Sequence, residues 1–375
     1  MRVALYDYAK LYREHREEID AAIARVLESG QFRWGEEVPA FEEEFANWVD
    51  ARHAVAVGSG TAALTVALRA LGVGPGDEVI TVANTDLAGS AAISAVGASV
   101  VWVDIDPESR CIDTTACEAA ITPQTRALLP VDMYGHPSDM IEMRRIADGH
   151  GLALVEDACL ALGAEIDGRR LGSLADVTCF SFSSGKHLGA IGAAGACTTQ
   201  DAALADRVRR LASDGQARGR HYGTKPGLGL HHETEGHNQQ MDEMQAAILR
   251  AKLPHLDETL AVRRAQADRY TERLAGLADL PGQKTGLRHA WRNYVIELDQ
   301  RDALAAHLFA REIDCNALYS PPMHLQPVYK GLGYAVGSLP RTERSCNRLL
   351  GLPLGPHLSL HQIDIVAEEV RAGLA

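Results

Sequence analysis

The chain has 375 residues, 46% hydrophobic and 23% charged, with a net charge of −13. That length exceeds one compact core and predicts one large and one small domain. The acidic balance argues against a general nucleic-acid surface, which needs clustered Lys and Arg, but leaves room for a local basic pocket. No apolar run approaches the length of a membrane span, and MRVALYDYAK lacks the apolar core of a signal peptide, so a cytoplasmic location is expected. The seven cysteines (Cys111, Cys117, Cys159, Cys179, Cys197, Cys315 and Cys346) form no CxxC pair. Their odd number and their places in apolar strands predict buried reduced thiols rather than disulfides or a metal site.

From Tyr12 to Glu28 the apolar positions Ile19, Ile23 and Leu27 recur every four residues, which predicts an amphipathic helix. The loop SGQFRWG follows, then a second helix in FEEEFANWV, with Phe41, Phe45 and Trp48 on a core-facing side. HAVAVGSGTAALTVALRALG reads as strand, turn and helix. The strand ends at Val57, Gly58 to Gly60 make the turn, and Leu64, Ala67, Leu68 and Leu71 repeat at helical spacing. The start of such a helix offers unpaired N–H groups and a positive dipole end, which suits a phosphate, and Thr61 can add a hydroxyl. A bare turn would have the same sequence.

A turn at Gly74 to Asp77 precedes a buried strand at Val79 to Val82, and another strand falls at Val100 to Val103. The alternation continues through RALLPVDMYG and LALVEDA, which argues for a mostly parallel sheet with helices on both faces. Ligands gather at the carboxyl ends of strands in such sheets. Asp157 follows the strand Leu152 to Val155 and is either a helix cap or a cofactor contact. The apolar run Val177 to Phe182 is a further buried strand. It enters the small-residue turn of SFSSGKHLG, which presents one lysine, Lys186. A lysine there can be held in a dry pocket, lose its proton and form a Schiff base. Residues 216–237 are rich in Gly and His, match no zinc-ligand spacing and are expected to form a solvated loop. A helix from Met241 to Leu256, kinked at Pro254, leads into the smaller domain. There a strand at Arg292 to Leu298, a helix at Arg301 to Arg311 and a closing helix at Leu360 to Ala372 are expected.

Four stretches in this order, GSGTAAL, VEDA, SFSSGK and GHNQQMDEMQAAIL, resemble the DegT/DnrJ/EryC1/StrS family. These are fold-type I enzymes that use pyridoxal phosphate, mostly aminotransferases acting on nucleotide-linked keto sugars. The resemblance covers nearly the whole chain. It implies an α/β protein: a large domain, 1–250, with a mostly parallel sheet flanked by helices, and a smaller C-terminal α/β domain, 251–375. It implies that Lys186 holds the cofactor as a Schiff base and that Asp157 faces the pyridine nitrogen. Gly60, Thr61, Ala62 and Ser181 would serve the phosphate. Asn238 would reach across to the site of the neighbouring subunit in a homodimer with shared active sites. Tyr319 and His324 in NALYSPPMHLQPVY match a second family signature and are candidate substrate contacts, as are His187 and Gln240. No metal is implied.

The cofactor face departs from the family pattern. Asp86 stands where an aromatic ring usually stacks, Leu160 where a glutamine or histidine follows the aspartate, Gln240 where an arginine follows the asparagine, and Leu318 where a histidine precedes Tyr319. Asp86 either caps the helix Leu87 to Val96 or faces the substrate. The expected reaction is transfer of an amino group from an amino-acid donor, glutamate by resemblance, to a keto group of a sugar or cyclitol in small-molecule biosynthesis. Two alternatives are dehydration of a deoxysugar, for which the family replaces the lysine by histidine, and a non-catalytic regulator on the same fold. The retained Lys186 favours transamination.

Overall fold

The computed structural model describes residues 2–215, 232–282 and 284–375. Three helices open the chain: α1 (Tyr8–Glu14), α2 (Arg16–Ser29) and α3 (Glu37–Trp48). Strands and helices then alternate: β1 (His53–Val57), α4 (Gly60–Ala70), β2 (Glu78–Val82), α5 (Leu87–Ala95), β3 (Ser99–Val103), α6 (Thr114–Ala119), β4 (Thr125–Leu128), α7 (Met140–His150) and β5 (Ala153–Asp157). Two short strands, β6 (Glu165–Ile166) and β7 (Arg169–Arg170), precede β8 (Val177–Ser181), β9 (Gly195–Thr199) and α8 (Ala202–Ala212). After them come α9 (Glu243–Lys252), α10 (Leu256–Leu274), β10 (Leu287–Arg288), β11 (Tyr294–Glu297), α11 (Arg301–Ala310), α12 (Pro340–Arg348), β12 (Leu349–Leu352) and α13 (Leu360–Leu374).

The main sheet has seven strands in the order β1-β9-β8-β5-β4-β2-β3. Only β9 runs against its neighbours, β1 and β8. The central strands are buried on both faces, which is why they read as unbroken apolar runs. Phe180 and Phe182 of the strand before the Lys186 turn meet Phe41 and Phe45 of α3 edge to face, with ring centroids 5.1 to 5.4 Å apart. The expected face of α3 is therefore core.

The helix expected from Tyr12 is two helices. His15 leaves helical geometry between them, and its ring stacks on His255 at 4.3 Å. The helix expected through Leu256 is likewise broken. Pro254 has no N–H to continue it, so α9 gives way to a 3-10 turn, Leu253–His255, before α10 begins. A boundary at residue 250 thus falls inside α9. A second core, gathered mainly from Ala267 to Val370, also takes in Val3, whose N–H donates to Glu312 O at 2.9 Å. The opening residues therefore pack with the C-terminal third rather than with the large sheet.

Buried polar contacts tie the two cores. Arg110 Nε meets Glu297 Oε1 at 2.6 Å with both side chains nearly covered, and Ser345 Oγ donates to the same oxygen at 2.6 Å. Asp104 accepts from Thr342 N at 2.7 Å, and within the main core Met323 N donates to Ala83 O at 2.7 Å. Glu297→Ala should leave the Arg110 guanidinium buried without its charge partner and cost about 3 kcal/mol of stability. Urea unfolding at fixed protein concentration checks this, and a loss below about 1 kcal/mol would mean that water already serves Arg110.

Candidate active site

The strand ends of the sheet bring the expected residues to one place. Asp157 closes β5, two residues further along the strand than its sequence suggested. It is 5% exposed. Its Oδ1 accepts from Cys159 N at 3.1 Å. Ser181 closes β8, and the turn that follows is fixed by Lys186 N donating to Ser183 O at 2.8 Å and Ala190 N to Phe182 O at 2.8 Å. Lys252 Nζ also donates to Gly189 O. Gly189 is needed there, since a Cβ would lie 2.4 Å from Ser184 O.

Gly60, the first residue of α4, packs against both strand ends. A Cβ on it would lie 2.7 Å from Ser181 Cβ and 3.0 Å from Cys159 Sγ. Ser59 caps the helix by accepting from Ala62 N at 3.0 Å. That uses the Ala62 N–H, while the amides of Gly60 and Thr61 keep the unpaired state of a helix start. Asp86 caps α5, with Oδ1 accepting from Ala88 N at 2.8 Å. Gly89 of that helix faces Asp157 Oδ2, 3.9 Å from where its Cβ would stand.

The electrostatics follow from burial. Lys186 is lowered from its ordinary value, first by desolvation and then by the Arg292 guanidinium, against the opposing pull of Cys159, Asp86 and Asp157. Asp157 is raised, chiefly by burial and in part by Asp86, while the hydrogen bonds from Cys159 oppose the shift. Tyr319 is raised by burial and by Asp86. It follows a cis peptide with Leu318, whose carbonyl accepts from Tyr134 Oη at 2.9 Å.

A sequence profile described as the DegT/DnrJ/EryC1/StrS aminotransferase family matches residues 13–371. The chain belongs to that family. It is 46% identical over 372 residues to the dTDP-3-amino-3,4,6-trideoxy-alpha-D-glucose transaminase of Streptomyces venezuelae, covering 99% of this chain and 96% of that one. Its structure matches that of DesV from S. venezuelae with a TM-score of 0.94 at 45% identity, over 100% of this chain and 98% of that one. It matches ntda from Bacillus subtilis with bound cofactor PMP at 0.90 and 32%, over 100% and 85%. The protein is an aminotransferase and its cofactor is pyridoxal 5′-phosphate.

The residues of this aminotransferase fit that cofactor. A lysine with a depressed pKa suits an aldehyde, because the unprotonated amine is the nucleophile. A buried carboxylate suits a protonated ring nitrogen, and a cation beside Asp157 would draw its raised pKa back down. Open amides at the start of α4, with Ser181 packed against Gly60, suit a phosphate. Leu160 contributes only apolar surface, 6% exposed within the main core.

Two sequence-predicted contacts are not in this group. His187 turns into the protein, 7% exposed, with Nε2 at 3.0 Å from Ala290 O. Burial and the nearby Arg263 and Arg292 hold it well below its ordinary value, which favours the neutral ring. His324 is buried too, paired with Glu343 Oε1 at 3.1 Å, because its turn packs under α12. Gln240 and Asn238 lie on the strand-like stretch beside β1, where Gly58 N donates to Gln239 O at 2.7 Å. Sequence reasoning missed Arg33, whose Nη2 donates to Asn238 Oδ1 at 2.8 Å and reaches Gln240 Oε1 at 3.5 Å. It also missed Arg292 and Tyr6, which stand by the Lys186 turn. Of the Gly- and His-rich stretch 216–237 expected to form a loop, residues 216–231 lie outside the described residues.

The sign of the Lys186 shift gives a test. In cofactor-free protein, acylation of Lys186 followed by peptide mapping should reach half its limiting rate at a lower pH than a lysine model peptide. Asp86→Asn keeps a capping oxygen and removes a charge that favours the ammonium form, so the midpoint should fall further. A profile that coincides with the model peptide would mean that the amine is solvated.

Proposed function

We propose that the aminotransferase moves the amino group of L-glutamate to a ketone on a nucleotide-linked deoxysugar, as a cytoplasmic homodimer with shared sites. The observation that carries this is the half-buried Lys186, whose desolvated amine feels the Asp157 carboxylate, in the turn after a strand end packed against the start of α4. The names of the relatives support a nucleotide-linked sugar over a cyclitol. The intact lysine argues against deoxysugar dehydration, and an amine kept poised to react argues against a purely regulatory role.

When bound, pyridoxal phosphate supplies an aldehyde for amine exchange and a ring that accepts electrons. Lys186 would anchor it through Nζ. The freed Nζ would serve as the base that takes the donor's Cα proton and gives it back across the imine nitrogen. Asp157 would hold the proton on the ring nitrogen. The Gly60 and Thr61 amides and Ser181 Oγ would hold the phosphate, and the apolar packing of Leu160 and Phe182 keeps water out.

The homodimer reading is supported by an apolar surface beside Asn238. Leu27 is 56% exposed, Phe32 54% and Trp34 40%, a grouping that water does not favour. Asn238 is itself exposed there, held by Arg33.

Incubation with L-glutamate and a dTDP-linked 3-keto-deoxysugar should yield 2-oxoglutarate and the amino sugar by mass spectrometry. Lys186→Ala should abolish this, and Asp157→Ala should slow it by at least about a hundredfold, the scale of losing one preorganised charge. Unchanged turnover in Asp157→Ala would reduce that carboxylate to a turn-forming role. Separately, Lys186→Ala and Asn238→Ala subunits, each weak alone, should regain activity on mixing. No recovery after proven subunit exchange would place Asn238 in its own subunit's site.

A further inference from the structure

The Arg292 guanidinium stands beside the Lys186 turn with no carboxylate partner among the described residues. The residue lies just before β11 and is 8% exposed. Its backbone is fixed: its N–H donates to Tyr134 O at 2.8 Å, and its carbonyl accepts from Arg263 Nη1 at 3.4 Å. Its Nη2 donates to Tyr6 Oη at 3.0 Å, and the Tyr6 ring lies 5.3 Å from the guanidinium carbon. Its other donors, including a buried Nε, have no partner among the described residues. The turn is built to meet it. A Cβ on Gly185 would lie 3.2 Å from Arg292 Nη2 and 3.1 Å from Tyr8 Oη, so glycine lets the chain close against the guanidinium.

Arg263 adds a second buried cation behind the first. It donates from Nη1 to the carbonyls of Trp291, Arg292 and Leu354, and burial, with Arg292 beside it, pushes it down to about 9. Among the described residues neither guanidinium has a carboxylate within salt-bridge distance. Buried cations without a counter-ion are costly, and an anion arriving with the substrate removes that cost.

We propose that Arg292, with Tyr6 Oη at its edge, is the seat for a carboxylate of the amino donor. This rests on the transaminase reading with an amino-acid donor given above. The cofactor phosphate has its own seat at the start of α4, so the anion at Arg292 is a different one. In an amino acid the amine and the α-carboxylate share one carbon. A donor amine brought to Lys186 therefore carries its carboxylate to the residues bordering that turn, of which Arg292 is the open cation. In a nucleotide sugar the ketone stands several bonds from the diphosphate, which would lie farther out. A planar guanidinium with free donors also matches a carboxylate better than a point charge would.

The test uses holoenzyme, calorimetry and two non-reacting probes, glutarate and thymidine diphosphate. Arg292→Gln should weaken glutarate by at least about tenfold and leave thymidine diphosphate within about twofold. Arg292→Lys should recover part of the glutarate affinity. In turnover, the Arg292→Gln defect should appear in KM for glutamate rather than in KM for the acceptor. Loss of thymidine diphosphate binding alone, or of both equally, would make this a phosphate seat and overturn the proposal. Unchanged glutarate binding would make the guanidinium structural. If Arg292→Gln does not fold, Arg292→Lys decides alone, since it keeps charge but loses the planar fork: undiminished glutarate affinity overturns the seat. Wild-type protein that binds glutarate through Arg292 yet moves no amine from glutamate would sink the donor reading and leave the seat standing.

Discussion

Desolvation of the Lys186 amine, in the combined field of the Asp86 and Asp157 carboxylates and the Arg292 guanidinium, sets what its neighbours must be. Burial favours the neutral amine, and Arg292 pushes the same way, while Asp86 and Asp157 pull towards the ammonium form. Burial and repulsion prevail, so the shift is downward, towards the neutral amine that a nucleophile needs. The same dry environment raises Asp157. The base is pushed down and the acid up, which is the pattern of groups prepared to exchange a proton rather than to hold each other as a permanent ion pair. A buried carboxylate among other acids, Asp86, Glu156 and Asp132, is completed by a cation, and a protonated ring nitrogen is one.

That environment depends on close packing between elements distant in sequence. The ends of β5 and β8 and the start of α4 converge because the sheet runs β1, β9, β8, β5 inwards from one edge. Gly60 lets α4 come within contact of Ser181 and Cys159, where any side chain would push the phosphate amides away from the lysine turn. The other wall comes from the second core. Arg292 and Tyr6 reach the Lys186 turn only because the C-terminal third, together with the opening residues, is docked on the sheet. The Arg110–Glu297 pair is part of that docking. Stability between the cores and the charge at Lys186 are therefore linked: loosening the first withdraws a cation that tunes the second.

The fold, and the placing of Lys186, Asp157 and Gly60 near strand ends, were legible in the sequence for local reasons. Strands covered on both faces leave unbroken apolar runs, and Lys186, Asp157 and Gly60 all lie at the ends of such runs. What could not be read was whatever depends on approach in space. Tyr6 lies near one end of the chain and Arg292 near the other, and nothing in MRVALYDYAK or RNYVIEL announces that they meet. His187 and His324 show the converse. Their neighbours in sequence made them candidates, but the turns that carry them face inwards, towards Ala290 O and Glu343. Helix ends were misplaced for a related reason: a break at Pro254 costs a hydrogen bond locally, and tertiary contacts decide how the chain resumes.

The departures from the family pattern are likewise best weighed by what surrounds them. At Gln240 an arginine is missing from the sequence position, yet a guanidinium stands there, supplied from a loop some two hundred residues earlier by Arg33. Positive charge at that place can thus be delivered from another element. Asp86 is a different case. Its Oδ1 caps α5, which explains why a short polar residue follows β2. A cap does not require a charge, however, because asparagine serves as well as aspartate. The carboxylate is what capping leaves over, and it acts on Lys186, Asp157 and Tyr319 together. A ring at this position could only cover a cofactor face. A carboxylate opposes the Arg292 effect on the lysine and also acts on Tyr319, so the two charged residues influence Lys186 with opposite sign.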